Sequence, residues 1–337
     1  MSANPTPRQI LAGLLRGNAA PRPLWLPIVF SLGAKTENLP LEAFLANPTK
    51  ISNSLRQISS RVRSDGVACY FDPYLEAEAL GGVVEWNDQG PALRWPEHVE
   101  GAELPEGLHS PEQAMSRGRV GVAIEVIRRL KSLLRDDSLL TAGVAGPLTL
   151  AARITQLEHE PSRALPDAAL EVATSMMAQL SAAFAEAGAN LIFIQESVIP
   201  KLTAESCEAW ASRLAPALNI IRFYQALPVL QLTNGRSFAV NSEVILQQRW
   251  DCVVCHTVEL PPITTVSPSG DALRGVAVPP EALVPEQADD ADLDEILDCV
   301  MSELRPAIVT TAGDVPAGTD IKRLIRISEY VRRYEAR

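Results

Sequence analysis

Positive charge is scarce in this sequence. Its 337 residues carry 30 Lys and Arg against 41 Asp and Glu, for a net charge of −11. A nucleic-acid-binding chain needs a basic face, and the scattered cations form none, so nucleic acid is not an expected partner. Long apolar runs are also missing. The longest, residues 24–34, contains a proline and a serine and is too short to cross a bilayer, so no membrane association is expected. Residues 1–22 hold no apolar leader core, which makes the cytoplasm the expected location. The five cysteines are an odd number and suit a reducing compartment better than a disulfide framework. No Gly-x-Gly-x-x-Gly follows the first apolar run, which weakens a dinucleotide-binding reading.

What is present is alternation. Eight short apolar runs, at residues 25–30, 67–70, 139–144, 191–194, 229–232, 252–255, 275–278 and 307–310, read as strands. Near-continuous apolar strands are expected where both faces of a parallel sheet are covered. Helical patterns lie between them. Asn47-Pro48 reads as a cap followed by proline at the first helical position, and Ile51, Leu55, Ile58 and Val62 repeat at helical spacing as far as Gly66. Leu170, Ala173, Met177, Leu180, Phe184 and Ala187 form a second stripe that ends at Gly188, and a last helix covers residues 321–334. Eight strand–helix units joined by right-handed crossovers predict a single (β/α)8 TIM barrel over residues 1–337. Its core spans about residues 22–335, with an N-terminal extension and a hairpin inserted after the second strand region. An open doubly wound sheet is the rival. Two Pro-rich stretches, residues 97–111 and 261–270, follow strands and are expected at the catalytic end, where barrel loops gather. The acidic stretch 288–295 reads as the start of a solvated helix.

The segment with the most chemistry is Tyr70-Phe71-Asp72-Pro73-Tyr74, followed by Leu75-Glu76-Ala77-Glu78-Ala79-Leu80-Gly81-Gly82. It places Asp72 where the second strand gives way to a loop, ahead of the hairpin pattern of residues 83–91. An Asp between a strand and a proline also serves as a turn former. A strand, an acid at its end, an Ala-Leu-Gly step and a hairpin together resemble the uroporphyrinogen decarboxylase family. Pro23-Leu24-Trp25, Gly146-Pro147-Leu148-Thr149-Leu150-Ala151, the strand closing on Glu196-Ser197, Pro228-Val229-Leu230, Asp251-Cys252-Val253-Val254 and Thr311-Ala312-Gly313-Asp314 are similar to further family segments, in the same order.

The resemblance implies a carboxy-lyase acting on a tetrapyrrole-related or other small cyclic substrate, with Asp72 as the catalytic acid facing the ring. It implies no metal and no cofactor, a cytoplasmic homodimer and a small-molecule substrate. The candidate substrate-binding residues are Tyr74, Arg153, Glu196, Gln231, His256 and Asp314. The departures are informative. The family's two clamp arginines after the first strand are replaced within Ile28-Val29-Phe30-Ser31-Leu32-Gly33-Ala34-Lys35, and one Lys does not substitute for two bidentate forks. The family's tyrosine falls at Arg153 and its late histidine at Asp314. The usual octa-acid porphyrinogen is therefore not the expected substrate.

The same superfamily includes zinc-dependent methyltransferases that work with corrinoid proteins, and a corrinoid protein is the expected partner under that alternative. Their zinc ligands are not matched at Gln231-Leu232-Thr233 or Gly313-Asp314, so no zinc is expected there. A barrel that binds a small molecule without chemistry is the third alternative. Cys252-Val253-Val254-Cys255-His256 fits a haem-attachment pattern, but alternation along a strand sends its two cysteines to opposite faces. His256 instead ends a strand at the barrel rim. Glu196 reads as a base, a substrate ligand or an ion-pair partner of Arg153. Arg222 reads as a surface ion-pair residue, Met176 and Met177 as core, and His98, His109 and His159 as solvated.

Overall fold

The structure, a computed structural model, describes residues 5–87, 90–96, 104–134, 138–160, 163–233, 241, 243–256, 272–285, 293–298, 301 and 306–334, with the side chains of residues 255 and 256 excepted. Ten strands are described. They are β1 (Leu24–Trp25), β2 (Gly66–Tyr70), β3 (Val83–Asn87), β4 (Gly90–Arg94), β5 (Leu139–Ala145), β6 (Leu191–Glu196), β7 (Leu227–Leu232), β8 (Cys252–His256), β9 (Leu273–Val278) and β10 (Ile308–Thr311). Eight of them form one sheet in the order β1-β10-β9-β8-β7-β6-β5-β2, and every neighbouring pair is parallel. Among the described residues, helices separate β1 from β2, β2 from β5, β5 from β6 and β6 from β7. The result is a (β/α)8 TIM barrel, nearly closed. The inserted hairpin is present as the antiparallel pair β3–β4.

The seam of the barrel lies between β1 and β2. It is bridged by Asp65, not by a ladder. The Asp65 N–H donates to the Trp25 carbonyl at 2.8 Å, and the Trp25 N–H donates to Asp65 Oδ2 at 2.8 Å. Arg22 grips the same carboxylate with two nitrogens, at 2.7 and 2.8 Å. The Asp65 side chain is fully buried, so these bonds replace the water it has lost.

The first strand is shorter than its apolar run. Residues 25–30 predict a strand, but the ladder covers only Leu24–Trp25. Pro27 has no N–H to donate to a ladder. Beyond it the chain bonds to side chains: the Ile28 N–H donates to Thr311 Oγ1 at 3.0 Å, and the Phe30 and Ser31 N–H groups donate to Asp314. The other seven strands fall where expected. The helices Pro48–Val62, Asp167–Ala187 and Ile321–Arg333 match their periodic patterns. Asn47 caps the first of them by accepting from the Lys50 N–H at 3.1 Å. Asp167–Ala187 is long and apolar enough to cross a membrane, yet it packs on the barrel with Ala173, Met176, Met177, Leu180 and Phe184 fully buried. The Pro-rich stretch 261–270 lies outside the described residues, as does most of the acidic stretch 288–295.

Candidate active site

The C-terminal ends of the strands surround a cavity of about 190 Å³. Its lining includes Asp72 and Pro73 after β2, Ala145 at the end of β5, Gln195 on β6, Thr233 after β7 and Asp314 after β10. Thr149 and Arg153 enter from the helix Pro147–Ile154. This is the end of a barrel where active sites form.

Asp72 is set by a bulge and a turn. The pairing of β2 with β5 slips between Ala68 and Tyr70, which re-aims the chain just before the acid. Asp72 Oδ1 then accepts from the Tyr74 N–H at 3.0 Å, the Asx turn that an Asp-Pro step favours. Its other oxygen, Oδ2, lies 2.6 Å from Arg119 Nη1, and only 4% of the Asp72 side chain is exposed. Burial pushes the Asp72 carboxyl above its ordinary range, while the Arg119 charge and the Tyr74 amide pull it back.

Arg153 lies across the cavity lining. Its Nε donates to Glu158 at 3.1 Å, its Nη1 to the Pro73 carbonyl, and its guanidinium stacks over the Tyr74 ring at 5.5 Å. Among the described residues nothing accepts from Nη2, which leaves one donor edge for a ligand.

Two carboxyls expected to meet substrate accept from backbone amides, and one of them, Asp314, also lines the cavity. Glu196 is fully buried and accepts from the Leu148 N–H at 3.1 Å, the Thr149 N–H at 2.8 Å, the Thr149 hydroxyl at 2.6 Å and Trp210 Nε1 at 3.1 Å. It therefore satisfies the first amides of the helix that carries Arg153, where a negative group also suits the helix dipole. It is not an ion-pair partner of Arg153, whose acid is Glu158. Only glycine fits beside it at position 146, since a Cβ there would stand 2.2 Å from Glu196 Cδ. Burial pushes Glu196 up to about 7 against those four donors. Asp314 accepts from the Phe30 and Ser31 N–H groups at 2.8 Å each and so fixes the loop after β1; burial raises it to about 6.

The remaining candidates divide. Tyr74 and Gln231 are not among the lining residues, and Tyr74 carries the Arg153 guanidinium on its ring. Gln231 accepts from Gln195 Nε2 at 2.8 Å and donates to the Thr311 carbonyl at 2.8 Å, so it positions Gln195 from beneath. His256 ends β8, and its side chain lies outside the described residues. Arg222 pairs with Asp251 on the surface, Met176 and Met177 are core, His159 is exposed, His98 lies outside the described residues and His109 is half-buried against Gly81.

Sequence reasoning missed Arg119, Gln195 and Glu76. Glu76 is fully buried one turn past Asp72, accepts from the Ala145 N–H at 2.7 Å and is pushed up to about 7 by burial. The adjacent Gly118 carried the one available signal for Arg119: its φ of +54 favours glycine, and it lets the chain approach the Glu78 carboxylate closely.

Residues 6–229 match the uroporphyrinogen decarboxylase (URO-D) family. The chain belongs to that family. The match takes in Asp72, Tyr74, Arg119, Arg153 and Glu196, and it stops before Gln231, His256 and Asp314. No curated protein matches the sequence significantly. Among solved structures, a methyltransferase from Methanosarcina mazei is similar with a TM-score of 0.73 and 16% identity, over 97% of this chain and 98% of that one. A B12-independent methionine synthase from Shewanella sp. W3-18-1, in complex with selenomethionine, is similar with a TM-score of 0.54 and 13% identity, over 93% of this chain and 95% of that one. At such identities the likeness is one of fold.

Proposed function

We propose that this URO-D family member is a carboxy-lyase for a small cyclic acid and not for the octa-acid porphyrinogen. The observation that carries this reading is the cavity of about 190 Å³ with Asp72 and Arg153 on its lining. That is room for about six water molecules at liquid density, and it falls below the ~300–1,000 Å³ of drug-sized pockets. The loop of Ile28–Lys35 supplies no arginine to grip the carboxylates of an octa-acid.

In this reading Asp72 acts as the carboxylate and stabilises positive charge on the protonated ring. The bond from ring-borne carbon to carboxylate breaks, its electron pair is drawn toward the cationic ring, and CO2 leaves. A proton takes the place of CO2 and the proton that charged the ring is released, so the net consumption is one proton for each CO2 released. The Nη2 edge of Arg153 holds an acidic or carbonyl oxygen of the substrate.

The test uses small pyrrole carboxylic acids, with pyrrole-2-carboxylate and porphobilinogen as probes, beside uroporphyrinogen. Binding by calorimetry and CO2 release are both measured. At least one small acid is expected to bind, and binding is expected to fall at least tenfold in Asp72→Asn and in Arg153→Met. Robust conversion of uroporphyrinogen to coproporphyrinogen would overturn the proposal. Tight binding with no CO2 release would favour a barrel that binds without chemistry.

Methyl transfer is the second reading. It draws support from the two similar structures, one named a methyltransferase and the other a methionine synthase. A corrinoid protein is then the natural partner, and methyl transfer from methylcobalamin is the assay. The site would have to work through Glu196, His256 and Asp314, and two of those carboxyls are already occupied by backbone amides.

A further inference from the structure

Arg119 and the hairpin above it form a unit that the chemistry so far described does not use. Arg119 stands immediately before the helix Val120–Leu133 and is held on three sides. Its Nη1 faces Asp72 Oδ2 at 2.6 Å, its Nε donates to Glu78 Oε2 at 2.8 Å, and its Cζ lies 5.6 Å above the ring of Trp86 on β3. The side chain is 10% exposed. Asp72 Oδ2 and both Arg119 Nη atoms are buried, yet none has an aligned hydrogen bond among the described residues. The pair is therefore an ion contact with unspent bonding capacity, placed at the edge of the cavity that Asp72 lines. A buried ion pair with imperfect hydrogen bonding is a poor device for stability. It is a good device for setting the charge of one member.

Building on the proposed role of Asp72, we infer that Arg119 is the positioning residue of this site. It holds Asp72 ionised at the edge of the cavity, and the β3–β4 hairpin fixes Arg119 through Trp86. Among the described residues, six titratable groups face Asp72: Tyr70 and Tyr74 along its own chain, Glu76 and Glu78 on the helix Leu75–Ala79, Arg119, and Arg153 on the helix Pro147–Ile154. Only the two arginines favour the carboxylate, and Arg119 is the one in contact. The hairpin insertion then has a task. It covers the guanidinium with an aromatic face and keeps water from competing for it.

The experiment follows the ionisation of Asp72 itself and needs no substrate. The full-length protein is labelled with 13Cγ-aspartate, Asp72→Asn assigns the resonance, and the titration midpoint is read by NMR. Arg119→Met is expected to raise the midpoint by about 1–3 pH units. Arg119→Lys should restore most of the shift, and Trp86→Ala should raise the midpoint by a smaller amount. An unchanged midpoint in folded Arg119→Met would overturn the inference. Should that variant not fold, Trp86→Ala decides: a midpoint equal to that of the native protein refutes the coupling. Binding of porphobilinogen to Asp72→Asn separates the two ideas. Undiminished binding there sinks the function proposed for Asp72 and leaves the control of its charge by Arg119 standing.

Discussion

The buried Glu196 makes a prediction whose sign runs against the usual behaviour of carboxylates. Most acids paired in a folded protein lower their pKa and destabilise it when protonated. Glu196 is raised to about 7 from an ordinary 4.5 because burial outweighs its four donors. Below pH ~4.5 it is neutral in both folded and unfolded chains. Between ~4.5 and ~7 the unfolded chain releases the proton and the folded one keeps it, so the linkage slope is negative and stability falls as pH rises. At 1.36 kcal/mol per unit, the loss between pH 5 and pH 8 is about 2 kcal/mol. For a chain of 337 residues that corresponds to about 3 °C in Tm. Glu76 and Asp314 share the same sign and blur the native curve, so the measurement is a difference. Glu196→Gln cannot ionise. The variant loses an acceptor and will be less stable at pH 5, but its deficit relative to the native protein should shrink by about 2 kcal/mol by pH 8. Thermal melts of both proteins at half-unit steps of pH measure this. A deficit that stays constant across the range would refute the reasoning. It would mean that the amides of Leu148 and Thr149, the Thr149 hydroxyl and Trp210 together keep Glu196 ionised throughout.

Three further outcomes follow from other contacts. Asp65→Ala removes the acceptor of both Arg22 nitrogens and of the Trp25 N–H at the barrel seam; breaking such a buried pair should cost about 3 kcal/mol in chemical denaturation. Gly146→Ala places a methyl 2.2 Å from Glu196 Cδ and must displace the carboxylate, with an expected loss of about 1–3 kcal/mol and faster amide exchange in the first turn of the Pro147–Ile154 helix. Asp314→Ala leaves the Phe30 and Ser31 amides without their acceptor, at about 1–3 kcal/mol for each amide that stays buried, whereas Asp314→Asn should recover part of that loss.

The barrel was legible because its information is local. Strands such as Leu191–Glu196 are apolar along their whole length, and helices such as Pro48–Val62 carry a stripe, a cap and a proline in the expected order. The strand that misled, at residues 25–30, did so because an apolar run does not reveal that Pro27 lacks an N–H, nor that the amides beyond it are taken by Thr311 and Asp314, more than 280 positions later. Of the residues singled out from the sequence, Asp72, Arg153 and Asp314 meet on the cavity lining. Asp72 is marked by its own neighbours, since an acid after a strand and before a proline is a local pattern.

The roles of the other acids are set by distance, and chemistry alone does not distinguish them. Asp72, Glu76, Glu196 and Asp314 all stand at or just beyond the C-terminal ends of barrel strands, where a carboxylate reads as catalytic. What separates them is their partners. Glu76, Glu196 and Asp314 receive backbone amides from Ala145, Leu148 and Thr149, and Phe30 and Ser31, segments between 47 and 284 residues away. Those bonds commit them to holding the loops in place. Asp72 alone spends one oxygen on its own turn and turns the other to the guanidinium of Arg119, 47 positions later. A carboxylate whose long-range partner is a charge can have its ionisation controlled by that partner, whereas one whose partners are amides is fixed in geometry. By that criterion Asp72 is the acid among the four whose charge a contacting partner can set, and Arg119 is that partner.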